Sequence, residues 1–419
     1  MGSCGAARAE TEAAGDSVRH GALLDKLQAE DRAYFGEDLL RIDTSFRDTV
    51  LAEYDSLGLD TYRELHTERA RRLALSFDLA ERLWAYNRVE GLVAGARVAL
   101  HPVRQPGPRF EIQGAYATGS EKFRHHEALH VPLGPKAWRA RLRVHYADRV
   151  VPYGSNRPAV NSLRALVGAE DAQDYLRREG GGVGLTWSPA PRVGLEVAYE
   201  AAEESSVSGS SDFSVFGDLV RFNAPVDVGI DRAVVGSLRL GSLERELWQI
   251  DLAHRVAGGG LGGDFAYNRS DLAFSARRYL GRQEFTLDLG WVRTGGDAPV
   301  QRLADFGGLS TVRGFERRTR VGEASFTARL EYLVPYDLLR AADVPVLRHA
   351  GLQLVPWLDA GRTWDSGSDA WIHSTGLGLQ RFLGPFGQAS YLRLDLAFPL
   401  GPDRPEAVRF DLRFARGFF

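Results

Sequence analysis

The stretch FGGLSTVRGFERR, residues 306–318, combines the marks of a loop with those of a buried contact. Gly307, Gly308 and Gly314 let a backbone turn sharply and approach a neighbour closely, so they predict a loop. Arg313, however, stands inside a Val-Arg-Gly-Phe run, which would gain nothing on a free surface loop. The stretch therefore raises the question of what Arg313 binds, and in what kind of fold.

The chain around this stretch alternates between apolar and polar residues with a period of two, which is typical of β-strands. Leu394, Leu396 and Phe398, for example, oppose Arg393 and Asp395. Regularly spaced segments bounded by Gly, Pro, Asp and Ser predict fourteen strands: RVEGLVAGARVAL, RFEIQGAYAT, AWRARLRVHYADR, GGVGLTWSP, RVGLEVAYEAA, AVVGSLRLGS, LWQIDLAHRV, residues 262–279, EFTLDLGWVR, GEASFTARLEYLVPY, AGLQLVPWLDAGRTW, IHSTGLGLQRFL, QASYLRLDLAFPL and AVRFDLRFARGFF.

Alternation alone leaves two folds open. In a soluble sandwich the charged face of each strand is exposed to water and the apolar face packs into the core. In a membrane barrel the charged face lines the lumen and the apolar face contacts lipid. An open sheet of about fourteen strands would curl or split, and closure also removes exposed strand edges. The number of strands therefore favours a closed barrel.

Composition agrees with a barrel and excludes other classes. The 419 residues carry a formal net charge of -3, so we expect no nucleic-acid partner. Cys4 is the only cysteine, so no internal disulfide can form. The mean hydropathy is -0.25, and no apolar run is long enough for a membrane-spanning helix. Barrel strands keep mean hydropathy low because half of their residues face the lumen.

The N-terminal part has a different pattern. Residues 1–18 are small and polar and predict a disordered N-terminus, and apolar residues at three-to-four spacing predict a helical segment over 19–86. MGSCGAARAE lacks the apolar core of a signal peptide. The period of two begins near Asn87, which predicts a barrel domain over 87–419.

The C-terminal third resembles the barrel domain of the BamA/TpsB superfamily of outer-membrane insertases and translocases. Three motifs stand in that family's order: FGGLSTVRGFE, then ARLEYLVPY, then VPWLDAGRTWDS. The final FARGFF, with Phe414, Phe418 and Phe419, is similar to the C-terminal strand signal of bacterial outer-membrane barrels. NRVEGLVAGARVAL also resembles a first barrel strand of this group, so the resemblance extends over residues 87–419.

The resemblance implies an all-β fold, a closed 16-stranded antiparallel transmembrane β-barrel with an inward-folded lid loop at about 295–322. The arginine of the loop meets acids on the inner wall, which here implies a contact of Arg313 with Asp359 and Glu331. A guanidinium can bind a carboxylate with two parallel hydrogen bonds, and either charge would be costly if left unpaired in a confined lumen. The same resemblance implies that Gly314 lets the backbone turn sharply beside the wall and that Phe315 packs against side chains of the lumen. It also implies that Gly361 belongs to the aromatic-x-Asp-x-Gly signature of the strand that carries Asp359.

By resemblance, the protein acts in insertion or translocation of proteins at the bacterial outer membrane, with its N-terminus in the periplasm. It is expected to be no enzyme and to need no cofactor. Its expected partners are outer-membrane lipid, lipopolysaccharide and unfolded client proteins. The family's periplasmic POTRA modules have no counterpart in residues 1–86, which favours a passive pore or structural barrel as the alternative function.

A remote alternative is a zinc peptidase. EKFRHHEALHVPLG contains His-Glu-x-x-His, formed by His126, Glu127 and His130. On a helix the two histidines would share a face and bind zinc, with Glu127 as general base. The Val131-Pro132 pair would stop such a helix at once, and no third ligand is evident, so we expect no metal site.

Strand number stays open between fourteen and sixteen. The missing pair could be FRHHEALHVPL and FSVFGDLVRF, both with weak strand patterns. Single-chain bacterial barrels have an even number of strands, so sixteen is the prediction taken from the resemblance.

Overall fold

The computed structural model describes most of the chain from residue 73 onwards. The described residues are 73–76, 84–100, 107–134, 139–154, 161–162, 165–167, 171, 173–218, 221–242, 247–280, 283–308, 310–334, 352–364, 370–382, 390–401, 405 and 408–416. The predicted disordered N-terminus, residues 19–72 and 77–83 of the predicted helical segment, and Phe418 and Phe419 lie outside them.

The described chain folds almost entirely into strands. They are β1 (Leu73–Ser76), β2 (Trp84–Asn87), β3 (Gly91–Leu100), β4 (Arg109–Ala117), β5 (Lys122–Leu133), β6 (Ala140–Tyr153), β7 (Asp174–Ala190), β8 (Val193–Ser206), β9 (Phe213–Ser214), β10 (Gly217–Asp218), β11 (Gly229–Ser242), β12 (Trp248–Ala257), β13 (Ala266–Leu280), β14 (Gln283–Asp297), β15 (Ala304–Phe306), β16 (Arg320–Gly322), β17 (Ala324–Leu333), β18 (Leu352–Trp364), β19 (Ile372–Phe382), β20 (Ser390–Leu400) and β21 (Arg409–Arg416). Helix is limited, within these residues, to 3-10 turns at Gly259–Leu261 and Val300–Arg302 and to residues 161–162 and 165–167. No helix in the described part is long and apolar enough to cross a membrane.

One large antiparallel sheet contains all strands except two small hairpins. Each strand pairs with the next long strand along the chain, from β3 to β8, then through β11, β12, β13, β14 and β17, and on to β21. β1 and β2 both pair with the same edge of β3, so they share one position. The sheet therefore has sixteen positions.

The fourteen predicted strands are all present, and so is one of the two weak ones. FRHHEALHVPL lies in β5, which pairs with β4 and β6. The prediction of a barrel strand at FSVFGDLVRF is wrong, because this stretch forms only the two-residue strands β9 and β10 of a separate hairpin. A turn at residues 215–216 ends the first extended run after two residues, and Gly217, with φ of 128°, begins β10.

The sixteenth position comes from the segment predicted to be helical. Residues 73–76 and 84–87 are strands paired with β3, so the helical prediction is wrong for these two stretches. Their sequences, LALS and WAYN, are short and contain residues that also suit a helix, so pairing with β3 decides their structure.

The faces of the sheet are inverted relative to a soluble protein. On β12, Gln249, Asp251 and Arg255 are buried, whereas Leu252 and Val256 on the opposite face are 39% and 45% exposed. Other strands repeat this pattern: buried charged residues include Glu196, Glu200, Glu204, Asp231, Asp271, Asp288, Arg393 and Asp395, and exposed apolar residues include Leu92, Ile112, Val144, Leu185, Val197, Leu272, Leu330, Leu358 and Leu394. Soluble folds bury apolar side chains and rarely bury charges, whereas this sheet buries its polar face and exposes its apolar face.

The sheet also curves strongly. Between β14 and β17 runs residues 298–323, which we call the 298–323 connection. Its residue Glu316 accepts a hydrogen bond from Arg409 of β21 at 2.7 Å, and the next residue, Arg317, donates to the carbonyl of Tyr153 at the end of β6. In a flat sheet those strands would lie about 50 Å apart, because neighbouring strands are spaced by roughly 4.8 Å. Two adjacent side chains cannot span that distance, so the sheet wraps around the connection.

The first hairpin is tied to the same end of the sheet by a buried arginine. Arg88, in the turn between β2 and β3, contacts Asp171 Oδ1 at 3.2 Å and Asp174 Oδ1 at 3.1 Å. Its Nη2 also donates to Asn223 Oδ1 at 3.3 Å. Arg88 thereby joins the first hairpin to the connections before β7 and before β11.

We expect Arg88→Met to loosen these connections, because Asp171 and Asp174 would lose a buried counter-charge. Removing one partner of a buried ion pair costs roughly 3–5 kcal/mol. Limited proteolysis should then cut residues 154–173 and 207–228 faster than in wild type. Arg278→Met is the matched control, because Arg278 is exposed on β13. Equal cleavage rates in both variants would contradict this account of Arg88.

Candidate functional site

Arg313 lies in the 298–323 connection and is fully buried. Three of its groups donate to Asp359 of β18: the backbone N at 3.0 Å, Nε at 2.7 Å and Nη2 at 2.6 Å. Nε and Nη2 meet the two different carboxylate oxygens, which is the parallel, bidentate geometry of strong Arg–carboxylate pairs. The connection is thereby fixed to the wall of the sheet at this point.

The remaining faces of the Arg313 guanidinium are also occupied. Nη1 donates to Glu331 Oε1 of β17 at 2.6 Å. The Trp357 ring lies against the guanidinium plane, with Cζ 3.8 Å from the ring centroid. Cation–π stacking of this kind gains strength when it is shielded from water.

A wider network surrounds this contact. Arg393 of β20 donates to Glu331 Oε2 at 2.8 Å and to Asp395 Oδ1 at 2.9 Å. Arg329 lies 3.6 Å from Glu331 and 3.8 Å from Asp359. Three guanidinium groups thus face three carboxylates, so the buried cluster has no net charge.

This balance determines the ionisation of the central arginine. Burial by itself lowers the pKa of Arg313, but the charges of Asp359 and Glu331 outweigh burial and raise the pKa above its ordinary value. Arg313 therefore stays charged at any pH at which the fold survives.

Strand β19 makes room for the cluster. A Cβ at Gly376 would overlap the Leu396 carbonyl oxygen and the Trp357 ring. A Cβ at Gly378 would lie 2.7 Å from Arg393 Nε and 2.8 Å from Asp395 Oδ1. The Gly-Leu-Gly run therefore forms a trough that the large side chains of β18 and β20 fill.

The other predicted residues pack around Arg313. Gly314 has φ of 83°, and a Cβ there would lie 3.0 Å from the Ala397 Cβ. Phe315 is 2% exposed and belongs to an apolar cluster with Phe306, Val312 and Ile372. Gly361 lies against this cluster, since its Cβ would come within 2.8 Å of Val312 Cγ2. The structure therefore brings Arg313, Gly314, Phe315, Glu331, Asp359 and Gly361 together.

A second buried network holds the start of the connection. Arg302 donates to Glu204 of β8, and its Nη2 lies 3.0 Å from Asp231 Oδ2 of β11. Arg255 of β12 bridges Asp231 at 2.7 Å and Glu200 at 2.8 Å. The connection is thus bound at its start to β8 and β11 and at its centre to β17 and β18.

The His-Glu-x-x-His residues do not assemble into a zinc peptidase site. They lie on β5, where side chains alternate between faces, so Glu127 points away from the buried His126 and His130. Glu127 instead contacts His125 at 3.0 Å. Among the described residues, no group of three or more His, Cys, Asp or Glu is placed to hold a metal ion.

The remaining predicted site residues are at the C-terminus. Phe414 is in β21, where its Cα faces that of Leu392 of β20. Phe418 and Phe419 follow the described residues, so the C-terminal strand signal stays a prediction.

Several residues of the two networks carry no sequence motif. Arg329 and Arg393 could be found only through alternation, which places them on the charged faces of their strands, and Arg302, in a 3-10 turn, gives no signal of this kind. Glu196, Glu200 and Glu204 give a clearer signal, because a spacing of four in a strand keeps them on one face. Arg88 gives no such signal, since it lies in a turn.

No family model matches the chain, and no curated protein matches it. Solved structures that resemble it include CdiB from Acinetobacter baumannii, with 13% sequence identity, a TM-score of 0.43, and coverage of 82% of this chain and 59% of that one. This chain therefore spans about three fifths of the length of CdiB. OccK9 (OpdG) from Pseudomonas aeruginosa has 12% identity and a TM-score of 0.39, covering 82% and 93% of the two chains. Wzi from Escherichia coli, an outer-membrane protein involved in group 1 capsule assembly and a carbohydrate-binding β-barrel, has 10% identity and a TM-score of 0.30, covering 88% and 87%. At these values the likenesses carry no argument about the function of this chain.

We expect Arg313→Ala and Asp359→Ala each to lower the free energy of unfolding by roughly 3–5 kcal/mol, because each leaves a buried charge unpaired. The double variant should lose less than the sum, since the second substitution removes the orphaned partner. Thermal unfolding followed by circular dichroism in detergent measures all three. Arg409→Ala is the control, because its pair with Glu316 is exposed and should contribute under about 1 kcal/mol. Strict additivity of the two buried substitutions would show that the pair does not act as a unit.

A second prediction concerns the trough in β19. Gly376→Ala should destabilise the protein by about 1–3 kcal/mol, because the added methyl group displaces Trp357 from Arg313 or forces β19 and β20 apart. Gly236→Ala in β11 is the matched control, since a Cβ there meets nothing within 4 Å. Equal unfolding midpoints for the two variants would show that the close packing at Gly376 does not contribute to the stability of the protein.

Proposed function

We propose that the chain is a closed, sixteen-stranded β-barrel of the bacterial outer membrane, which inserts proteins into that membrane or translocates them across it. The observation that carries the proposal is the buried, bidentate contact of Arg313 with Asp359 inside a sheet whose outer face is apolar. The 298–323 connection is then a lid loop held inside the lumen.

The membrane location is supported by the inverted faces of the strands. Exposing Leu252, Val256, Val197, Leu358 and many similar side chains to water would be unfavourable, whereas lipid tails would cover them. Lipid and lipopolysaccharide are therefore the proposed partners of the outer face.

The orientation is supported by the lengths of the connections. The three longest connections, residues 154–173, 207–228 and 298–323, all join strands at one end of the sheet. The other end has tight turns such as residues 191–192 together with the shorter connection 334–351 between β17 and β18. Outer-membrane barrels have long extracellular loops and short periplasmic turns. We therefore assign the long connections to the cell exterior, which puts the chain entering β1 in the periplasm.

A role in insertion or translocation is supported by the two ends of the sheet. The first position is split between β1 and β2, with four residues each, and the last strand, β21, has eight. Within the described residues, neither β1 nor β2 pairs with β21. Short edges form few hydrogen bonds, so a seam between them would open most easily. From the sequence, the seam is expected between strands at residues 88–101 and 408–417. The proposed seam instead lies between β21 and the position shared by β1 and β2, one position before β3.

The alternative function, a passive polar pore, is favoured by the charged inner faces. Glu196, Glu200 and Glu204 of β8 face the same side as Arg178 and Arg255, a lining that suits small hydrophilic solutes. In this alternative the lid loop narrows the pore and has no role toward client proteins.

The two functions give different results after reconstitution into liposomes. We expect the wild-type protein to accelerate the folding of an unfolded barrel client into the liposomes, relative to protein-free liposomes. Arg313→Ala should change this rate while the barrel still forms, as judged by heat-modifiable gel mobility. Steady ionic conductance without any acceleration would establish the passive pore, and a water-soluble monomer that does not enter liposomes would contradict both functions.

A further inference from the structure

A cavity of about 80 Å³ lies within the curved sheet, between strands β3 to β6 and the segment that leads into β7. Its wall includes Gln113, Arg124, His126 and Arg149, and its cover includes Ser162 and Gln173. This space is partly open and has room for several waters or for one small polyatomic ion. The Arg313 network does not extend into this space.

His126 lines this cavity, and its ring carries one hydrogen-bond donor. It is 8% exposed, and its Nε2 lies 3.5 Å from Arg143 Nη2. A guanidinium only donates, so Nε2 must accept and the ring proton must reside on Nδ1. A doubly protonated ring would set two donors against each other. Nδ1–H has no hydrogen-bond partner in the described part of the chain.

The charges in the wall favour an anion. Arg124 contributes one positive charge, but it is paired with Glu90, another residue of the wall, at 3.0 Å. Arg149 adds a second guanidinium, so the residues of the wall include two guanidinium groups and one carboxylate. The amides of Gln113 and Gln173 and the hydroxyl of Ser162 add neutral donors at the edge.

We propose that this cavity binds a small oxyanion, such as phosphate, sulfate or a free carboxylate, through the Nδ1–H of His126 and the charge of Arg149. A donor on an imidazole, a guanidinium and amide groups around a space of this size is the chemistry that recognises oxyanions. Metal ions would find too few carboxylates, because Glu90 is already paired with Arg124.

Binding would connect the wall to its cover. Ser162, Gln173 and Tyr175 belong to the segment before and within β7, and Arg88 holds the same segment through Asp171 and Asp174. An anion in the cavity would add a bridge between this segment and β5. We therefore expect the anion to stabilise the folded state and to slow cleavage of residues 154–173.

The test compares two substitutions that separate the nitrogens of His126. His126→Gln keeps an acceptor near the Nε2 position for Arg143 and removes the group at Nδ1, whereas His126→Asn keeps a donor near Nδ1. Isothermal titration calorimetry of the full-length protein in detergent measures binding of phosphate, sulfate and acetate, with chloride used to hold the ionic strength constant.

We expect the wild-type protein to bind at least one of the three anions. The affinity of His126→Asn for that anion should be within about threefold of the wild-type affinity. The affinity of His126→Gln should be about tenfold lower than that of wild type, as for loss of one charge-assisted hydrogen bond. His254→Gln is the control and should bind as wild type, because His254 contacts Ser270 on β13, away from the cavity. Equal affinity of wild type and His126→Gln would overturn the proposal, as would absence of binding by all three anions. Unfolding midpoints of each variant without anion establish that the fold is intact.

Discussion

The structure depends on a charge that cannot reach water. Arg313 is fully buried, and its guanidinium is satisfied only because Asp359 and Glu331 stand on neighbouring strands at hydrogen-bond distance. An isolated buried ion would cost far more than a fold of this size can sustain. The connection that carries Arg313 must therefore remain where these carboxylates are, and the sheet must curve to enclose it.

The same constraint shapes the surroundings. Arg329 and Arg393 balance the carboxylates, so the cluster has equal numbers of positive and negative groups. Gly376 and Gly378 supply the space, because side chains there would collide with Trp357 and Arg393. Both the charge balance and the space left by the glycines lower the free-energy cost of burying so many charged groups together.

The inverted sheet and the buried network are parts of one arrangement. Strands that turn charged faces inward create an interior in which a loop can be held by ion pairs instead of apolar packing. Arg302, bound to Glu204 and Asp231, and Arg313, bound to Asp359, attach the 298–323 connection at two separated points. Two attachments restrain a loop more strongly than one, since the chain between them loses its freedom to rotate about a single contact.

The sequence by itself determined the strands with long, regular alternation, and the resemblance of its ordered motifs to a known family implied the contact partners of Arg313. Alternation is a local signal that survives any tertiary arrangement, and the ordered motifs around Arg313, Glu331 and Asp359 occupy fixed positions on a connection and two strands. Tertiary structure alone decided the assignments that rest on pairing. LALS and WAYN became strands because β3 offers them an edge, FSVFGDLVRF formed only a small hairpin, and Arg88 gained buried partners from segments far along the chain. Short segments have too little intrinsic preference to fix their own structure, so long-range hydrogen bonds and ion pairs fix it for them.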